Sequence, residues 1–252
     1  MFALVLLWMS NISQLLVLWR AVRASAIKKY PYFYAYVGST CSSFILSIVY
    51  LADRSSYNRW YWPIQLVTLV FGCGVVIEIF RHVLSPYPGA EKFAMAAAFA
   101  AFGAVFCVAI FYMVFGIQPF SVTAAIDLER NVRAVQAALL FAILAVVFHY
   151  RIPIGRNIRG MIVGYGIYIA ISLISRAVEA FAGGWLRLVW LYVQPLSFEG
   201  SLVIWLVALW SYQPNPAPDA LIQIEADYEA LASRTRTALR TMRSYLGRAS
   251  HS

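Results

Sequence analysis

Charge is scarce in this sequence. Asp, Glu, Lys and Arg make up 12% of its 252 residues, about half the share usual in soluble domains. Against them stand 62% hydrophobic residues and a mean hydropathy of +0.71. Water does not solvate a compact globule of this composition. Strict apolar/polar alternation is also missing, which argues against a transmembrane barrel and leaves a polytopic helical membrane protein. Lysine is rarest among the charged residues: Lys28, Lys29 and Lys92 are the only ones. None falls in the last apolar run, so a retinal Schiff base there is excluded. The three cysteines, Cys41, Cys73 and Cys107, sit inside apolar runs and form no CxxC pair or disulfide framework. HExxH, GxSxG, P-loop and GxGxxG signatures are all absent, which weakens an enzymatic reading without removing it.

What is present is a series of apolar runs, each near the roughly 20 residues that cross a bilayer core. Seven qualify: 2–19, 32–52, 62–80, 93–116, 132–150, 160–182 and 185–210. The expected fold is therefore all-α, a seven-transmembrane-helix bundle over residues 1–212 in a cell (inner) membrane. With the N-terminus outside and the C-terminus inside, the segments 20–31, 81–92, 151–159 and the tail hold 14 of the 20 Lys and Arg residues. The outer loops then hold Arg54, Arg59, Arg130, Arg133 and Arg187. This bias fixes the expected orientation. It also accounts for the net charge of +9 without nucleic acid as a partner.

Two internal patterns stand out. Residues 36–53 align without a gap on 162–179, placing Gly38 on Gly164 and Asp53 on Glu179, which suggests a 3+1+3 pseudo-repeat. Ala96, Ala100 and Ala104 recur at four-residue spacing in the fourth run. Small residues let helices approach closely, so this run is expected at the packed centre of the bundle or, failing that, at a dimer seam.

Beyond the spans, 213–218 carries Pro214, Pro216 and Pro218 and reads as an extended linker. Residues 219–248 then form a cytoplasmic amphipathic or coiled-coil helix. Its seam of Leu221, Ile224, Tyr228 and Leu231 suits self-association, or docking of another membrane or cytoplasmic protein. Arginines from Arg234 onward offer the inner leaflet as a rival contact.

Candidate functional residues are the few polar ones inside apolar runs, where a charge costs about 2.5–3.5 kcal/mol at the bilayer centre. Arg176 and Glu179 lie three apart on one helix face and can pair. Glu199 sits near mid-span between Pro195 and Gly200. With Gln194, Gln65, Tyr165 and Tyr168, these residues are expected to line one outward-facing pocket for a small ligand. A second cluster, Glu78, Arg81 and His82, ends the third run before the Pro86–Pro88 break and faces the cytoplasm. His82 and His149 share a membrane level, but arginines crowd both, so haem is not expected and no other cofactor is implied.

The stretch EIFRHVLSPYPG (78–89) resembles a run in uncharacterised bacterial seven-helix integral membrane proteins. That resemblance covers one helix end and one loop, and implies no activity. The topology also resembles rhodopsins, G-protein-coupled receptors and three-plus-one-plus-three sugar transporters. Their marks are missing: NPxxY, a DRY equivalent on the inner side, and proline-glutamine pairs. Three functions stay open: a receptor-like sensor relaying through its tail, a small-solute carrier with Glu199 as coupling site, and a structural subunit of a larger complex.

Overall fold

A computed structural model describes residues 2–49, 54–115, 122–181, 184–213 and 215–216, with four isolated tail positions, 229, 230, 233 and 237. Every element among the described residues is helical. The helices are α1 (Phe2–Arg23), α2 (Pro31–Val49), α3 (Arg54–Leu84), α4 (Pro88–Val114), α5 (Val122–Tyr150), α6 (Arg156–Phe181) and α7 (Gly184–Ala208), with one 3-10 turn at Ala26–Lys28. Stretches of α3, α4, α5 and α6 are long and apolar enough to cross a membrane: Trp60–Leu84, Pro88–Tyr112, Ala124–Tyr150 and Arg156–Ser175.

Local chemistry sets several of the breaks. Pro31 and Pro88 open α2 and α4, where a missing N–H costs nothing. α5 closes with Arg151 in the left-handed region, φ 51°, while the Ile152 N–H reaches back to the Val147 carbonyl at 3.0 Å. That is the 6→1 bond of a Schellman turn. α7 runs through Pro195 as one helix.

Helix packing runs α1 on α2, α2 on α3, α3 on α5 and α6, α5 on α6, α6 on α7, and α7 back on α1. α3 is the central strut, with Val75, Val76 and Ile79 fully buried. α4 touches only α3 and α5 appreciably and is the least buried of the four long spans. Of the two places the alanine stripe suggests, the packed centre and a dimer seam, the first is not where it lies. Ala96, Ala100 and Ala104 instead face outward, and α4 packs through Ala98 and Phe102. Neighbouring chain supplies the reason: α3 and α5 already contact each other, so α4 is left to bridge them from outside.

The tightest seam is between α6 and α7. Gly160 and Gly164 stand one turn apart on α6, a small-xxx-small pair. A Cβ on Gly160 would collide with the Cβ of Ala208, and one on Gly164 with the Trp205 indole. The Ser201 hydroxyl donates to the Gly164 carbonyl at 2.7 Å across the same seam. Gly38, its partner in the internal alignment, has open space around the equivalent position.

One face of the bundle is laced by the segment after α7. The Asn157 side chain donates to the Ser211 carbonyl at 3.1 Å and accepts from the Gln213 N–H at 2.8 Å. Asn215 accepts from the Gly155 N–H at 3.0 Å and donates to the His82 carbonyl at 2.9 Å. Arg20 donates to the Trp210 carbonyl at 2.8 Å, its guanidinium stacked on that indole, and Lys29 lies over the Tyr212 ring. The ends of α1, α3, α6 and α7 therefore meet at a single basic face.

Candidate functional site

Buried polarity is what a lipid-facing bundle must explain, because no water compensates it. Among the described residues, the buried acidic and basic side chains fall in three places.

The largest group centres on α5. Glu129 and Arg133 are one turn apart, each 8% exposed, with the Arg133 Nη2 2.8 Å and Nε 2.9 Å from one Glu129 oxygen. Arg133 also donates to the Tyr168 hydroxyl on α6 at 3.2 Å, and its guanidinium lies 5.0 Å from that ring's centroid. Tyr36 on α2 interacts with the Tyr168 phenol and meets Tyr165 edge-on at 5.4 Å. Gln136, on the same α5 face, donates to the Cys73 sulfur at 3.7 Å. Gly72 on α3 makes room: a Cβ there would sit 2.6 Å from the Tyr165 hydroxyl and 3.0 Å from the Gln136 amide nitrogen. Five side chains able to bond a polar guest, Arg133, Tyr36, Tyr165, Tyr168 and Gln136, thus converge from three helices.

The second group lies between α1 and α7. Glu199 is 8% exposed and accepts from the Ser10 hydroxyl at 2.8 Å and the Ser13 hydroxyl at 2.6 Å, one on each carboxylate oxygen. Gln14, on the same stretch of α1, accepts from Thr40 of α2 at 3.2 Å. α1 is amphipathic in the sense lipid demands: Ser10, Asn11, Ser13 and Gln14 turn inward, while Trp8, Ile12, Leu15 and Trp19 are exposed.

Glu78 forms the third. It is buried on α3, and its carboxylate accepts from the Phe33 N–H at 2.9 Å and the Tyr32 N–H at 3.4 Å. It caps the first turn of α2, whose N–H groups have no helical partner. His82 turns its Nδ1 back to the Glu78 carbonyl and packs on Tyr30, and Arg81 is exposed. The trio expected to face the cytoplasm therefore divides its work: Glu78 holds α2, the His82 backbone holds Asn215, and Arg81 lies exposed beside them.

The residues expected to line one pocket are distributed. Tyr165 and Tyr168 belong to the Arg133 group, Glu199 to the α1–α7 seam. Gln194 on α7 accepts from Ser175 of α6 at 3.4 Å, and Gln65 is half-buried on α3. Arg176 and Glu179 lie on α6, but their side chains are outside the described residues, as are Leu221, Ile224, Tyr228 and Leu231 of the tail.

Hydropathy alone passes over Glu129 and Arg133: Glu129 precedes the apolar run that starts at Val132, and Arg133, at the edge of that run, counts with the outer-loop charges. α5 starts at Val122. The signal was present: Glu129, Arg133 and Gln136 share one helical face, with Leu128, Val132 and Val135 beside them at helical spacing. Comparison of the chain with protein-family models, with curated proteins and with solved structures finds no match.

Proposed function

We propose that this chain is a multi-pass, receptor-like membrane sensor that takes a small polar ligand into the bundle beside Arg133 and relays the change through the segment after α7. The observation that carries this reading is the placement of the Glu129–Arg133 pair. Both residues belong to one helix, the burial of their ion pair is costly, and Arg133 turns its remaining donor to a tyrosine hydroxyl of α6. Ionisable residues retained inside a membrane bundle on those terms mark sites of function. Tyr36, Tyr165 and Tyr168 add hydroxyl groups suited to hydrogen-bonding a polar guest. Arg133 stands roughly 25 Å from the Tyr150 end of α5 at about 1.5 Å per residue, in the half away from the basic face.

The protein purified in its native lipid should carry a small polar molecule detectable by native mass spectrometry. Arg133→Gln combined with Glu129→Gln should lose it while remaining folded. A wild-type protein that carries no such molecule, with the doubly neutralised protein otherwise identical, would remove the sensor reading.

The seven-span arrangement with the N-terminus outside is part of the same proposal, supported by 14 of 20 basic residues on one side. A cysteine placed at Ser55 or Ser121 should react with an impermeant maleimide in intact cells, and one placed at Ser233 should react only after lysis. The reverse pattern would turn the Arg133 site towards the cytoplasm.

Glu199 favours a second reading, a structural subunit. Its two serine bonds fasten α1 to α7, a role that needs no ligand or transported ion.

A further inference from the structure

At the basic face, an open cleft of about 470 Å³ lies where α6 begins and α7 ends, lined by Arg156, Leu206, Val207, Trp210 and Ser211. Its lining is ordered by chemistry. Leu206 and Val207 make an aliphatic wall, and Val207 is 65% exposed. Trp210 adds an indole, a ring that favours the membrane–water boundary. Arg156 sets a guanidinium at the rim, its Nη2 2.7 Å from the Ser211 hydroxyl oxygen, and Arg20 stacks 4.9 Å from the centroid of the same indole. Among the described residues, no acidic side chain lines the cleft.

We propose that this cleft is a binding site for one anionic phospholipid. An acyl chain would lie along Leu206 and Val207, and the headgroup phosphate would meet Arg156 and the Ser211 hydroxyl. The match is to an amphiphile: a free phosphate has no use for the aliphatic wall, and an apolar molecule none for the guanidinium. Charge complementarity selects an anionic over a zwitterionic lipid, since Arg156 lines the cleft and Arg20 stacks on its indole, with no carboxylate in the lining among the described residues. A Lys or Arg near a membrane surface contributes on the order of a fivefold gain in affinity for anionic lipid. The site also touches Ser211 and Trp210, the residues that lace the end of α7 to α6 and α1.

The test is thermal unfolding of the full chain in neutral detergent, with added phosphatidylglycerol, phosphatidylcholine or inorganic phosphate. Lipid that binds the native state raises Tm in proportion to its occupancy. Phosphatidylglycerol is expected to raise Tm more than phosphatidylcholine, and phosphate to do nothing. Arg156→Gln should weaken the phosphatidylglycerol response roughly fivefold in lipid concentration. Val207→Trp should abolish that response by filling the cleft with every charge in place. Ser211→Ala, which removes one hydrogen-bond donor to the headgroup but keeps the cation, should weaken the response less than Arg156→Gln. Lys92→Gln, on exposed α4 away from the cleft, should leave it unchanged. The proposal falls if Arg156→Gln and Val207→Trp respond like the wild type, if Lys92→Gln weakens the response equally, or if phosphate alone reproduces it.

Discussion

Arg133→Met is expected to destabilise the protein by about 3–5 kcal/mol, the cost of leaving one member of a buried pair alone. Glu129 would keep its carboxylate within the bundle at 8% exposure, with the guanidinium gone. The Tyr168 hydroxyl would also lose the donor it accepts from at 3.2 Å. Adding Glu129→Gln should recover a large part of the loss, because the stranded charge is then removed. Thermal unfolding of Arg133→Met, Glu129→Gln and the double variant in one detergent measures the difference. A double variant as unstable as the sum of its single changes would show that the two residues do not act as a buried unit. The comparison also bears on function. A doubly neutralised protein that is stable but inert would mean the pair is retained for a ligand rather than for the fold.

Gly160→Val is the second large effect, and its origin is geometric. Even the first carbon of a side chain at Gly160 would overlap the Cβ of Ala208, which is anchored to the α7 backbone and has no rotamer to escape into. The helices must separate, and with them go the Ser201–Gly164 bond and the packing of Trp205. Overpacking of this kind costs about 1–3 kcal/mol or more. Because α6 carries two tyrosines of the Arg133 group and α6 and α7 together frame the cleft, ligand and lipid responses should fall together. Gly38→Ala and Gly166→Ala serve as controls. Neither glycine has an atom within 4 Å of a built Cβ. Both changes should be neutral or raise stability slightly, since Gly costs a helix interior about 0.5–1 kcal/mol relative to Ala. If Gly160→Val melted with the controls, the α6–α7 seam would not be the close approach described here.

Much of this architecture is legible in the chain, and the particular residues show why. Runs of apolar residues as long as 93–116 have one stable solution in lipid, a helix that satisfies its own backbone. Pro31, Pro88 and the turn at 85–87 mark ends that follow from proline geometry. The scarcity of charge made Glu78 and Glu199 conspicuous, and both proved buried and hydrogen-bonded.

The candidate site was legible only in part. Hydropathy marks where a run of apolar residues begins, not where a helix begins, so the polar first turns of α5 hid Glu129 and Arg133. The serines of α1 were invisible for a related reason. Ser10 and Ser13 look like dilution of an apolar run until α7 is laid beside them. A GxxxG spacing at Gly160 and Gly164 could have been read, but its partner surface could not.

By itself, then, the sequence determined that this is a helical protein of a membrane, with its basic residues gathered mainly in segments that flank the helices. Those properties depend on composition and on local periodicity, which every short stretch carries within itself. Tertiary structure alone decided that α4 stands at the edge, that Glu199 answers to α1, and that Arg133 joins two tyrosines of α6 and one of α2. Such pairings join residues far apart in the chain. In lipid they are chosen by close packing and hydrogen bonds between helices rather than by hydrophobicity, which is the same on every apolar face.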